Sequence, residues 1–92
     1  MGNTWTPEYA PWRHGGWYVT NVHYPDGACG CISRNYSDGK WRIACSETYP
    51  GSPFDRTFLS RDAAARAERA IAQLAARLGY AADTLIGWVE TQ

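Results

Sequence analysis

The stretch "TFLSRDAAARAERA", residues 57–70, carries the signals of a helix start and decides the fold of this chain. Ser60 is a favourable N-cap residue, and Asp62 places a carboxylate in the positive first turn. Beyond it, apolar residues recur at spacings of three and four until Gly79, a typical helix stop. The stripe consists of Ala64, Ala67, Ile71, Leu74 and Leu78. We therefore predict a helix over 60–79 whose small side chains allow close approach to a sheet.

Upstream of this helix the sequence has the pattern of a three-stranded meander. The runs "WYVTNVHY", "ACGCISRNY" and "KWRIACS" are rich in β-branched and aromatic residues, and "PDG" and "SDG" separate them. Both turns have the form Tyr-x-Asp-Gly, which suits a three-residue loop closed by a left-handed glycine at Gly27 and at Gly39. The runs are therefore expected to pair as antiparallel neighbours.

The loops also predict a register, because the residues that flank each loop must pair: Tyr24 with Ala28, and Tyr36 with Lys40. One face, expected to lie under the helix, then carries Trp17, Val19, Cys29, Cys31, Trp41, Ile43 and Cys45. The opposite face is expected to be exposed. It carries Tyr18, Thr20, Tyr24, Arg34, Tyr36, Lys40 and Arg42.

The length of 92 residues fits a single domain with one modest core. Its predicted class is α+β, with a three-stranded antiparallel sheet packed on one main helix in the order β-β-β-α. The predicted parts are an aromatic, proline-containing N-terminal arm (1–15), the meander (16–46), a loop (47–59), the helix (60–79) and a short C-terminal helix or tail (80–92). The arm is expected to be irregular, since it contains two prolines and leads into the pair Gly15-Gly16.

Charge and hydropathy limit the class of partner. Nine basic and nine acidic residues cancel, so the chain has no bulk attraction to nucleic acid or to a membrane surface. No run approaches the ~18 apolar residues that span a bilayer, and the first twenty residues lack the order of a signal peptide. We therefore expect a cytoplasmic protein with reduced cysteines and no membrane partner.

The passage from sheet to helix, "GKWRIACS" followed by "FLSRDAAARA", resembles the AP2-type and integrase arm-type DNA-binding modules over residues 16–79. That resemblance implies a helix supporting one face of the sheet while Arg and aromatic side chains of the other face enter the major groove. Members that bind DNA are basic, whereas this chain is neutral. The segment "HGGWYVTNVHYPDGACGCISRNYSDGKWRIAC" is also similar to small uncharacterised proteins of actinobacteria and their phages, which imply no activity.

The predicted partner-binding surface is the exposed face, on which three cations lie among tyrosines without an acidic neighbour. Its residues are Tyr18, Thr20, Tyr24, Arg34, Tyr36, Lys40 and Arg42. The neutral chain favours a host protein as partner, so the expected function is a small non-enzymatic, phage-encoded binding protein. DNA bound by the same face is the alternative, and tight binding through three cations would require a homodimer. A face that is only solvated, or that the arm covers, is the third interpretation.

Cysteine and histidine supply the other cluster of chemically active residues. The predicted register places Cys31 opposite Cys45 and His23 opposite Cys29, all ligand types that zinc prefers. These thiols fall on the face assigned to the helix, where cysteine packs as a small apolar residue, so we expect neither metal nor cofactor. A metal site of His23, Cys29, Cys31 and Cys45, and a cross-strand disulfide, remain alternatives. No residue is placed to orient His23 as a base for Cys29, so no enzyme is expected.

Overall fold

The computed structural model describes residues 5–44, 50–51, 53 and 55–79. In this part of the chain, four strands form one antiparallel sheet in the order β1-β2-β3-β4, and one helix packs on the sheet. The strands are β1 (Tyr9–Trp12), β2 (Gly16–His23), β3 (Cys29–Ser33) and β4 (Arg42–Ile43), and the helix is α1 (Arg61–Leu78). The predicted α+β class is confirmed. The predicted number of three strands is wrong, because the N-terminal segment supplies a fourth.

Strand β1 lies in the segment that was expected to be irregular. It pairs with β2, with Trp12 opposite Gly16, and residues 13–15 connect the two strands. A Cβ atom on Gly16 would lie 2.6 Å from the Trp12 ring, so only glycine lets this ring pack across the hairpin. Pro11 is compatible with β1 because the strand lies at the edge of the sheet.

The segment that precedes β1 is tied to β2 by the side chain of Asn21. The Asn21 Oδ1 atom accepts a hydrogen bond from the backbone N–H of Glu8 at 3.0 Å, and its Nδ2 atom donates to the carbonyl of Thr6 at 2.9 Å. Thr20 also donates its backbone N–H to the carbonyl of Glu8 at 2.8 Å. One amide side chain therefore continues the sheet pairing beyond the start of β1.

Strand β2 contains an irregularity that changes the predicted register. His23 lies opposite Cys29, as predicted, but Val19 lies opposite Gly30 because three residues of β2 bulge out between these pairs. Val19 and Val22 are both buried, so the inward positions are separated by three residues instead of two. An odd shift of this kind exchanges the two faces of a strand relative to its partner.

The bulge reverses the predicted orientation of β3. Gly30 and Ile32 lie on the helix side: Ile32 belongs to the buried core, and a Cβ on Gly30 would meet Glu68 of α1. Cys31 is buried as predicted, but it lies in the row of Tyr18, outside the core cluster. The prediction that the cysteines of β3 pack under the helix is therefore wrong.

Both predicted loops form with the predicted glycine conformation, since φ is 91° at Gly27 and 68° at Gly39. In the first loop the N–H of Tyr24 donates to the carbonyl of Ala28 at 2.8 Å, which confirms that pair. Beyond the second loop, the register differs by one residue. Ser33 pairs with Arg42, where the prediction paired it with the next residue of β4.

Helix α1 begins and ends as predicted. The Ser60 side chain accepts a hydrogen bond from the N–H of Ala63 at 3.0 Å, and Gly79 adopts the left-handed C-cap conformation. The buried face is rotated from the predicted stripe, because Leu78 is exposed and Ala67 and Leu74 are only half-buried. The buried residues of α1 are Ala64, Ala65, Glu68, Ile71, Ala72 and Ala75.

The carboxyl group of Glu68 lies in the middle of this apolar face with no solvent exposure. It accepts a hydrogen bond from the Tyr24 hydroxyl at 2.6 Å and another from the backbone N–H of Cys31 at 2.9 Å. Tyr24 is consequently drawn under the helix, where it joins the core. Trp17 and Trp41 pack against the edge of this core and stay half-buried, where the prediction placed them under the alanines of the helix.

The predicted tail (80–92) and Cys45 lie outside the described residues.

Candidate functional site

A surface cleft of about 520 Å³ lies at the end of the sheet, next to the first turn of α1. The β1–β2 hairpin forms one wall, the segment that follows β3 forms another, and Trp41 and the first helical residue complete it. We call it the arginine cleft. Its lining includes Arg13, His14, Trp17, Arg34, Asn35, Trp41 and Arg61.

Three guanidinium groups at the arginine cleft are stacked against aromatic rings. The Arg34 guanidinium lies 5.6 Å from the centre of the Trp41 ring. Arg61 lies 4.9 Å from the Trp17 ring and 4.0 Å from the Tyr9 ring, and Arg13 lies 4.9 Å from the Trp12 ring. Contacts of this kind are attractive and restrict long side chains, so the cations are held in position before any ligand arrives.

The β1–β2 turn has the backbone needed to present its side chains to the cleft. Gly15 has φ 74°, and a Cβ there would lie 3.2 Å from that of Asn35, so glycine allows the turn to lie against the segment after β3. The carbonyl of Gly15 accepts a hydrogen bond from the N–H of Arg34 at 2.9 Å. Arg13 itself has φ 37°, a conformation that is uncommon for a residue with a side chain.

None of the described residues that line the arginine cleft carries a carboxylate. All nine basic residues of the chain are described, against six of the nine acidic residues. Most of those six have partners elsewhere: Asp38 and Asp55 contact Arg42, Glu68 is buried, and Asp62 accepts a hydrogen bond from the Tyr9 hydroxyl. The neutral net charge therefore does not describe the charge at this surface.

The Tyr9 ring packs against the Arg61 guanidinium of the arginine cleft. Burial raises the pKa of its hydroxyl above the usual value, and the hydrogen bond to the Asp62 carboxylate raises it further. The hydroxyl consequently stays protonated and keeps donating to Asp62 at physiological pH. Arg61 is thereby stacked on a neutral ring that the helix itself anchors.

The residues of the predicted partner-binding face do not all reach solvent. Tyr18, Thr20, Arg34 and Lys40 are exposed, and Tyr36 is half-buried. Tyr24 and Arg42 are buried, so their predicted exposure is wrong. Tyr24 turns inward because the bulge in β2 reverses its face and Glu68 accepts a hydrogen bond from its hydroxyl.

Arg42 is buried for a different reason, namely that it lies between two carboxylates. Its guanidinium donates to Asp38 at 2.7 Å and to Asp55 at 2.6 Å, and it stacks 4.8 Å from the centre of the Tyr36 ring. These hydrogen bonds lower the pKa of both carboxyl groups below their ordinary range. The predicted cluster of cations without an acidic neighbour is thus wrong at Arg42, and this guanidinium has a structural role.

The alternative metal site is not assembled by the described residues. His23 and Cys29 lie opposite each other, as predicted, but the thiol of Cys29 donates to the carbonyl of Gly30 at 3.3 Å. Cys31 lies two positions along β3, and the fourth predicted ligand, Cys45, is outside the described residues. Within the described ranges, no three His, Cys, Asp or Glu side chains are grouped so that they could hold a metal ion.

Sequence reasoning missed the roles of Arg13, Arg61 and Glu68. Glu68 had a visible signal, since it interrupts a run of alanines on the buried side of the helix. Arg61 had the signal of a basic residue in the first helical turn, where an acidic residue is favoured. Trp17 and Trp41 were predicted to share one face of the sheet, and both line the arginine cleft.

No protein-family model, curated protein or solved structure matches this chain. In the part of the chain that the structure describes, no helix combines the length and the apolar character needed to cross a membrane.

Proposed function

We propose that this protein is a small non-enzymatic binding module that holds an anionic partner in the arginine cleft. One observation carries the proposal: the cleft combines three guanidinium groups and two indole rings, and its described lining contains no carboxylate. Guanidinium groups are the preferred protein donors to carboxylate and phosphate oxygens, because their planar fork matches both.

The position of the described acidic residues away from the cleft lining supports this proposal. A field at a cleft depends on the charges that face it, and neutral overall composition does not cancel a local patch of one sign. Among the carboxylates that the structure describes, Asp38 and Asp55 are paired with Arg42, and Glu68 is enclosed in the core. The arginines of the cleft are therefore available to an incoming anion.

The outer face of the sheet supports a second candidate function, which is contact with a host protein. Trp12 and Tyr18 form an aromatic pair there, with ring centres 5.9 Å apart, and Tyr18 is 38% exposed. Thr20 and Lys40 add exposed polar groups from the predicted binding face. Aromatic side chains of this kind are enriched at protein interfaces. We prefer the arginine cleft to this face as the binding site, because its three arginines select a negatively charged partner.

The proposal is tested with the full chain and inorganic polyphosphate, measured by isothermal titration calorimetry at low and at physiological salt. The wild type should bind, with an affinity that falls as salt rises. The double variant Arg34→Gln with Arg61→Gln should bind at least about tenfold more weakly, because it removes two charge-assisted contacts. Both side chains lie at the surface, so the variant should keep its melting temperature.

The matched control is Arg56→Gln with Arg77→Gln, which removes the same charge away from the cleft and should bind like the wild type. Equal losses in both double variants would show that only net charge matters and would exclude the cleft. Capture of a host protein that survives the cleft substitutions but is lost in Tyr18→Ala would favour the outer face of the sheet.

A further inference from the structure

The aromatic rings of the arginine cleft indicate a feature of the ligand beyond its negative charge. Trp17 and Trp41 line the cleft and are only half-buried, and each carries a guanidinium group over its ring. A partner that offers only carboxylates would use the guanidinium groups and leave the rings without a role. A partner with a flat aromatic group next to an anion would use both.

The volume and the polar groups of the cleft limit the class of ligand further. About 520 Å³ lies in the range of sites that hold small organic ligands, whereas a single oxyanion needs far less space. Asn35 is exposed in the lining, and its side-chain amide provides both a donor and an acceptor. Half of the ten lining residues are exposed, so the cleft is open and a longer chain can pass through it.

We propose that the arginine cleft binds a nucleotide unit, either as a free nucleotide or as part of a single strand. This inference rests on the proposed function, since it specifies the anion. The guanidinium groups of Arg13, Arg34 and Arg61 contact the phosphate, and the base stacks on the tryptophan–guanidinium layers. A duplex is a poor ligand because its bases are stacked inside the helix.

The first test compares two chains of equal charge on the unaltered protein. A fluorescein-labelled thymidine octamer and an abasic phosphodiester octamer of the same length are titrated by fluorescence anisotropy. The abasic chain lacks the bases that stack on aromatic side chains, so it should bind at least about tenfold more weakly. Equal affinities would overturn the nucleotide inference while leaving the proposed capture of anions standing.

The second test removes the stacking platform. Trp41→Leu should lower the affinity for the thymidine octamer toward that of the abasic chain, and it should weaken polyphosphate binding far less, because all three arginines of the cleft remain. Trp5→Leu is the matched control: Trp5 is also half-buried under arginines, Arg66 and Arg69, but lies outside the cleft. It should bind like the wild type. If Trp41→Leu fails to fold, the comparison on the unaltered protein decides the matter.

Competition distinguishes the sources of the ligand. If thymidine monophosphate displaces the octamer at a concentration similar to that of the octamer, the ligand is a free nucleotide. If the monophosphate does not compete, the ligand is a single strand. Both outcomes support the inference if the abasic chain is weak. Tighter binding of polyglutamate than of the octamer would overturn it in favour of an acidic polypeptide. Absence of binding to every polyanion would remove the inference and the proposed function together.

Discussion

Glu68 shows how one side chain can complete a sheet. The carbonyl of Cys31 accepts a hydrogen bond from the N–H of Ala44 at 2.8 Å, so both backbone groups of Cys31 point toward β4. Strand β4 ends at Ile43, and the Glu68 carboxylate accepts the Cys31 N–H in place of a further strand residue. A buried polar group without partners is costly, and here the carboxylate and the amide satisfy each other.

The close approach of Glu68 to β3 predicts that replacing Gly30 destabilises the protein. A Cβ at this position would lie 2.7 Å from Glu68 Oε1 and 3.1 Å from the Cβ of Val19. Gly30→Ala should therefore displace the carboxylate from its two donors and lower the free energy of unfolding by about 1–3 kcal/mol. Urea denaturation in the wild-type and Glu68→Ala backgrounds checks this. A cost that is equally large in both backgrounds would show that the carboxylate is not the cause.

Arg42 is the second residue whose environment has a measurable consequence. Its guanidinium is 1% exposed and contacts Asp38 and Asp55, whose pKa values it lowers. A carboxyl group with a lowered pKa in the folded protein stabilises the fold above its unfolded value of about 3.9. That contribution is lost as pH falls through the folded pKa. The stability that Arg42 gives through these two carboxylates therefore falls as the pH is lowered.

Asp55→Asn should be less stable than the wild type at pH 7, and this difference in melting temperature should shrink as the pH falls below about 4. The reason is that acid gradually removes the same charge from the wild type. Circular dichroism melts at stepped pH values measure the difference. Asp26→Asn is the control, because Asp26 is an exposed carboxylate whose side chain accepts a hydrogen bond from the backbone N–H of Ala28. A wild-type advantage over Asp55→Asn that persists undiminished to about pH 2 would contradict the assigned pairing.

At the level of elements, three hairpins of this sheet share one sequence pattern. An aromatic residue is followed three positions later by a left-handed glycine: Gly15 after Trp12, Gly27 after Tyr24, and Gly39 after Tyr36. The last two turns were predictable because Asp precedes their glycines. The first has His in that place, and two neighbouring prolines concealed the strand before it. The spacing of aromatic and glycine would have revealed β1.

The bulge in β2 could be predicted only in part. Val19 and Val22 are three residues apart, and regular alternation cannot bury both, so an irregularity was readable there. The number of residues in the bulge could not be predicted, because one of them, Asn21, is held by hydrogen bonds to the segment before β1. That contact joins residues more than ten positions apart, and propensity does not report such contacts.

The role of Asn21 can be tested directly. Asn21→Ala removes the hydrogen bonds to Glu8 and Thr6 and should lower the free energy of unfolding by about 1–3 kcal/mol. The backbone N–H of Glu8 should also exchange faster with deuterium, because its acceptor is lost. Asn35→Ala, an exposed asparagine, serves as the control for stability. If the two variants were equally stable, the segment before β1 would not be held by Asn21.

At the level of the whole molecule, the sequence predicted the class, the helix and the central hairpin, but it did not predict the cleft that we propose as the binding surface. Composition gives net charge, whereas the surface depends on which charges are paired inside. The partners of Arg42 lie 4 and 13 positions away, and the hydroxyl that occupies Asp62 lies 53 positions away. Only tertiary structure brings them together, so the arginine cleft could not be inferred from the balance of nine and nine.

The proline of the first strand has a consequence for how this protein behaves at high concentration. The N–H of Thr20 donates to the carbonyl of Glu8, so Glu8 and every second residue after it turn their backbone groups toward β2. Pro11 lies between these positions, so its backbone groups face away from β2. Its missing N–H therefore interrupts the row of donors that an edge strand offers to another chain. The feature that disguised β1 in the sequence is thus a safeguard against strand-by-strand polymerisation of the folded protein.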